Sequence, residues 1–475
     1  MRSVSGKVRL TGLGLAALLA ASLVTSAARA EGEPTGLAAD PASLASQPVA
    51  GTAYVANEAT GTISVIDVAT NAVTATICLG SDPAIAGTPQ PAGPCNAEAQ
   101  FRSPFYNGHL DPHGLWLTPD GSTLLVAARI SGTVVAIDTA TNTVLGYAPV
   151  GREPHLATVR PGGREAWVAV RGEAQVDILG LDPVRLRYPG LRRTDRMERV
   201  GPVDTILGPS MVSFTSDGRS AFVAAGKQPR VDKVDAETRR VVASQVLPAA
   251  FTPFGLVTPD DRELYLVHKG AGMLSILRTA DLGVEALGVP VGPCANHVWF
   301  VGPLAYVTIG GPPPCAPAGT DREGKVVILD RASHTVVHEL TGPAFTGDPH
   351  GIWGTPDGRR LYIGHERGDR VTVLDTGRLE DPTDDRVLGT VTGSSEDLAF
   401  LKKPIDIVIK AAASSPAPQA APVRAPSVMT DGVTSTPDGS SGGADLSNQS
   451  QGSDDQTQSQ PADEPVFIPE TNVPR

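Results

Sequence analysis

Four of the nine histidines sit at matching places in a recurring motif. Asp111-Pro112-His113-Gly114-Leu115-Trp116 returns as Asp348-Pro349-His350-Gly351-Ile352-Trp353. Weaker copies place His155 in Pro154-His155-Leu156-Ala157 and His297 in Ala295-Asn296-His297-Val298. Neutral imidazole is the commonest protein ligand for late transition metals. One such histidine more often bonds a backbone carbonyl or water, but four brought to one place argue for a metal ion. Copper is favoured by affinity order, with zinc or iron as alternatives. Glu396 and Asp397 are the candidate carboxylates, as ligands, base or orienting groups. Ligands must be deprotonated, so affinity is expected to fall as pH drops through the imidazole range near 6.5.

Whether these side chains meet depends on what carries them. After each motif comes a turn such as Thr118-Pro119-Asp120-Gly121 or Thr355-Pro356-Asp357-Gly358, then a short apolar strand. A Gly-rich turn leads to a third strand ending near Asp (Ile63 to Asp67, Val134 to Asp138), and an Ala-Thr-Asn turn to a fourth. From one motif position to the next the steps are 42, 55, 44, 43 and 53 residues, through His113, His155, Ser210, Phe254, His297 and His350. Four strands at this period make a propeller blade, and the second strands number seven. The prediction is an all-β, seven-bladed β-propeller over residues 48–410. Blade 1 opens at its second strand, Tyr54-Val55-Ala56-Asn57, so its first strand must come from the C-terminal end. Glu396-Asp397-Leu398-Ala399-Phe400 is the expected closing strand. First strands line the central channel, so the four imidazoles and the two carboxylates should form one arc across blades 6, 7, 1, 2 and 3.

Tyr54-Val55-Ala56-Asn57 followed by Gly61 to Asn71, and again Ser131 to Asn142, resembles the repeat of the YVTN-type seven-bladed β-propellers, which include quinoprotein amine dehydrogenase β-chains. The resemblance covers about residues 48–410. It implies the fold; members include enzymes, electron-transfer subunits and surface binding proteins, so it does not choose a function. Propellers with axial histidine metals, such as the selenium-binding proteins, are similar in architecture.

Net charge is −12, half of it after Ala411, which argues against a nucleic-acid partner. Residues 1–30 read as a signal peptide: Arg2 and Lys7, an apolar run from Leu13 to Leu23, and Ala28-Arg29-Ala30. Residues 31–47 read as a linker. No run is long enough to span a membrane. Residues 411–475, rich in Pro, Ser, Gly and acids, have the composition of a disordered tail. The expected location is extracytoplasmic: secreted, periplasmic or on the cell surface. There cysteines oxidise, and blade placement favours Cys78–Cys95 and Cys294–Cys315 among the three pairings. Six arginines from Arg185 to Arg199 read as a solvated insert.

The function expected is a metal-dependent oxidoreductase or lyase acting on a small-molecule ligand in the axial channel, as a monomer. The alternative is a non-catalytic propeller that binds a protein or polymer at its loop-rich face.

Overall fold

The computed structural model describes residues 50–79, 89–91, 101–103, 106–108, 110–311, 323–392 and 401–412. Glu396, Asp397, His109, Cys95 and Cys315 lie outside them, as do the expected signal, linker and nearly all of the tail.

Strand propensity and turn chemistry recur together. In the Thr-x-Asp turns, the hydroxyl of Thr118, Thr215, Thr258 or Thr355 donates to the Asp two residues on, at 2.6 Å each. Each such Asp also accepts a backbone N–H from the following residues, which closes the hairpin without a long loop. At the next turn, Asn71 and Asn142 take positive φ (56° and 55°), a conformation Asn tolerates better than most residues.

The outcome is seven antiparallel sheets around an axis. Six have four strands contiguous in the chain, with inner strands Pro112–Leu117, Pro154–Val159, Pro209–Phe214, Phe254–Val257, Ala295–Val301 and Pro349–Gly354. Blade 1 is made from both ends of the propeller. Gly51–Asn57 pairs on one side with Thr62–Asp67 and on the other with Pro404–Ala411. The closing strand is thus Pro404–Ala411 and not the 396–400 segment expected from the sequence. Its alternating Ile405, Ile407 and Ile409 are buried, as the inner strand of a closed ring requires.

Apolar side chains fill the gaps between neighbouring blades, with Trp167, Tyr54, Tyr265, Tyr306 and Tyr362 almost wholly buried. Tyr54 donates its hydroxyl to Asn142 Oδ1 in blade 2, and Tyr362 in blade 7 donates to Asn71 Oδ1 in blade 1. The second contact fastens the seam where the ring closes. The arginine-rich insert of blade 3 is absorbed locally: Arg187 pairs with Asp138, Arg185 with Glu198, and Arg199 with Asp177. No helix among the described residues is long and apolar enough to cross a membrane.

Candidate functional site: the axial histidine cluster

A β-bulge aims the histidines. Pro112 pairs with Ala128 and Gly114 with Ala127, so His113 is an extra residue in its strand. The register slips likewise at His155, at Ser210, at Asn296–His297, at His350–Gly351 and at Ile405. A bulge of this kind bends the strand and re-aims a side chain, here toward the axis. Blade 5 keeps a regular register from Phe254. The crowding explains two glycines. A Cβ on Gly114 would lie 2.3 Å from the His155 carbonyl oxygen, and one on Gly351 2.7 Å from Asp406 Cα.

The four imidazoles come together as expected. Ring centroids are 4.4 Å apart for His113 and His155, 6.3 Å for His113 and His350, and 4.9 Å for His297 and His350. His297 also stacks on Phe254, 4.0 Å away and nearly parallel. They line a cavity of about 10 Å³ together with Phe254, Ile405 and Asp406, room for about one water-sized atom.

Hydrogen bonds fix two tautomers. His155 Nδ1 is 2.7 Å from the Ser210 carbonyl and His350 Nδ1 is 2.8 Å from the Ile405 carbonyl. A carbonyl only accepts, so both Nδ1 atoms carry the proton and both Nε2 atoms keep a lone pair. His113 Nδ1 is buried without a hydrogen bond among the described residues; Glu58 Oε1 is 3.7 Å away. His297 Nδ1 lies 3.8 Å from Asp406 Oδ1.

Burial sets the protonation states. It pushes His297 down to about 3, and His155 and His350 well below the usual imidazole range. His113 is lowered for the same reason, with nearby Arg129 adding to it and Glu58 opposing it. All four are neutral rings at pH 7, and the fall in metal affinity anticipated near pH 6.5 moves to lower pH. Burial pushes Asp406 up to about 7, outweighing the amides of Leu115 and Ile407 that bond its oxygens. Glu58 goes the other way. Burial would raise it, but His113, Lys403 and Arg129 together hold it at about 2.

Among the described residues three carboxylates approach this cluster: Asp406, which lines its cavity, Glu58 beside His113, and Glu366 Oε2, 3.9 Å from His350 Nε2; Glu396 and Asp397 lie outside the described residues. Among the described residues, no three His, Cys, Asp or Glu side chains are disposed as they stand to hold a metal ion. His268 and His365, on second strands, are structural: each bonds through both ring nitrogens, to Thr252 and Ser275 or to Thr346 and Thr372. His334 bonds Glu263 near the outer edge.

A second tier, which no sequence motif marks, lies at the ends of the second strands. Glu58, Arg129, Arg171, Gly226, Lys269, Gly310 and Glu366 each donate a backbone N–H to the chain just ahead of the inner strand of their own blade. The acceptors are the carbonyls of Lys403, Asp111, Glu153, Gly208, Phe251, Cys294 and Asp348. The seven are therefore equivalent positions, at the end of the channel where the histidines lie. The opposite ends of the inner strands carry a tryptophan cluster, with Trp353 5.4 Å from Trp116 and 4.2 Å from Trp299.

No family model matches the chain. It is 27% identical over 222 residues to hydrazine synthase subunit beta of Kuenenia stuttgartiensis, an alignment covering 45% of this chain and 47% of that protein. The match thus spans about half the relative's length. The solved Kuenenia stuttgartiensis hydrazine synthase superposes with a TM-score of 0.51 at 21% identity, over 59% of this chain and 86% of that one. A functionally unknown protein from Desulfotomaculum acetoxidans superposes with a TM-score of 0.54 at 12% identity, over 76% and 99%. These likenesses establish the fold: the chain is a seven-bladed β-propeller, similar in sequence over part of its length to a hydrazine synthase subunit.

Proposed function

We propose that the axial cavity binds one transition metal ion through His113, His155, His297 and His350, and that the propeller acts on a small molecule as an oxidoreductase or lyase outside the cytoplasm. The observation that carries this reading is four neutral imidazoles lining a cavity of about 10 Å³. The unbonded Nδ1 of His113 and the free lone pairs on His155 and His350 fit the donor set of copper, zinc or iron. Side chains must turn to hold the ion, since no three donors now share a point. A bound copper ion would supply electron exchange or polarise a substrate oxygen. The chain's own part is to hold the rings neutral through burial and to place Asp406, which titrates near neutrality, beside His297 as a proton carrier. The extracytoplasmic address rests on the features of residues 1–30; a mature N-terminus at Glu31, read by mass spectrometry, would test it.

Elemental analysis of untagged protein, followed by titration with copper, zinc, iron and manganese, tests the site. One ion per chain is expected, lost in His113→Ala and His350→Ala and kept in His334→Ala. Because burial lowers the proton affinity of all four rings, uptake should persist further into acid than exposed imidazole ligands would allow. Wild-type protein that takes up no stoichiometric metal refutes the proposal.

The likeness to hydrazine synthase subunit beta favours a second reading: this chain is a non-catalytic subunit that docks on other chains. A metal-free protein that purifies in a fixed ratio with one partner chain would favour that reading.

A further inference from the structure

We infer that the histidine end of the channel receives a small oxyanion, gripped by Arg171, Lys269 and the Ser210 hydroxyl on the side formed by blades 3 to 5. The tier above the imidazoles, with Lys403, carries four cations against two carboxylates. Glu58 takes Arg129 at 2.5 Å and Lys403 at 2.5 Å. Glu366 is left 3.6 Å from Lys403 and 4.0 Å from Lys269. No carboxylate among the described residues lies within ion-pair distance of Arg171, and its Nε is buried and unbonded. The acids just outside this tier offset part of the surplus without pairing directly: Asp348 acts on Lys269 and Glu153 on Arg171, each from beyond ion-pair distance. Asp111 accepts the amides of Ile130 and Ser131, Asp348 accepts from the Asn296 amide and lies 3.7 Å from Arg367, and Glu153 is exposed to solvent.

The surplus is one-sided, and that side has the right shape. Blades 4 and 5 carry Ser210 and Phe254 where blades 2, 3, 6 and 7 carry histidine. At Gly226, the point a Cβ would occupy is 2.8 Å from Ser210 Oγ and 3.7 Å from Arg171 Nε, so hydroxyl and guanidinium converge on the small gap that the missing side chain leaves, too tight for even a Cβ without a shift. Phe251 walls this gap at 3.7 Å from the same point, and it holds a positive φ of 63° that a bulky side chain rarely adopts. Its ring lies 5.9 Å below the Arg171 guanidinium, and its carbonyl accepts the amide of Lys269. Arginine's planar fork suits a two-oxygen ligand, and a buried guanidinium without a counter-charge is costly unless an anion joins it. The tightness of the channel limits that anion to a small carboxylate or inorganic oxyanion.

Calorimetric titration with sulfate, phosphate and formate at constant ionic strength reads the site. One saturable site per chain is expected for at least one of the three. Arg171→Gln and Lys269→Gln should each weaken it tenfold or more, while Lys227→Gln, altering an exposed lysine next to Gly226, should leave it unchanged. His113→Ala should keep the anion, which separates this site from the metal proposal. If Arg171→Gln fails to fold, Lys269→Gln carries the same test. No saturable binding of any of the three, or wild-type affinity in a folded Arg171→Gln or Lys269→Gln, overturns the inference.

Discussion

Asp406 Oδ2 accepts the backbone N–H of Leu115 at 2.8 Å, across 291 residues of chain. Its other oxygen accepts the amide of Ile407. One buried carboxyl therefore joins the closing strand of blade 1 to the inner strand of blade 2, beside His297.

That carboxyl gives a pH dependence of one sign. Its folded pKa is about 7 against an ordinary 3.8. Between these values the folded protein holds a proton that the unfolded chain releases, so this group's contribution to stability falls as pH rises. The slope is about 1.4 kcal/mol per pH unit across that window and flat above it. Asp406→Asn removes the slope but also loses one acceptor. Its melting temperature should lie below wild type at pH 5 and close the gap by pH 8. A constant difference across that range would refute the assignment.

The buried imidazoles act in the opposite direction. His268 is lowered to about 4 and His297 and His365 to about 3, all chiefly by burial, and His113, His155 and His350 are lowered too. Each stays neutral in the fold and protonates on unfolding, so unfolding takes up protons below pH 6.5 and stability drops as the solution is acidified. Six such groups, each lowered by burial, set against the single Asp406 give a net loss of stability as pH falls from 6.5 to 5. Metal-free protein should lose melting temperature steadily over that interval, and a flat profile from pH 6.5 to 5 would be incompatible with these states.

Removing the closing strand should abolish the fold. Ile405, Ile407, Val408 and Ile409 are at most 6% exposed, and burying each aliphatic side chain is worth about 2 kcal/mol. Their loss, with the edge of Gly51–Asn57 left unpaired, is comparable to the whole stability of a typical domain. A chain ending at residue 403 should show no cooperative melt, while one ending at residue 412 should melt like the full protein.

Cys78 ends a strand of blade 1 and Cys294 precedes the inner strand of blade 6; both are buried. Peptide mapping without reductant should find Cys78–Cys95 and Cys294–Cys315. A Cys78–Cys315 cross-link would contradict the blade assignment.

The period of the chain and the place of its histidines were legible because a proline and a bulge recur at the same step. The closing strand was not, because Pro404-Ile405-Asp406 keeps the proline but has neither His nor Gly after it. Glu396-Asp397-Leu398-Ala399-Phe400 offered itself instead because Asp397 falls 47 residues after His350, within the blade period. Glu58, Arg129, Arg171, Lys269 and Glu366 have no single residue type in common, so only the hydrogen bond each makes to the chain ahead of its inner strand reveals them as one tier. The low imidazole pKa values were equally hidden, since they come from burial by strands distant in sequence.

Blade 1 takes its inner strand from the C-terminal end of the propeller and its other strands from the N-terminal end, and Gly51 pairs with Ala411. The two chain ends therefore leave the same sheet about one strand spacing apart, near 5 Å. A few residues would bridge residue 412 to residue 50, and the chain could be opened instead at a blade-to-blade turn. Such a circular permutant would have four contiguous strands in every blade and no long-range pairing to wait for. If it folds faster than the natural order while keeping the same axial cluster, the slow step of the natural chain is the meeting of its two ends.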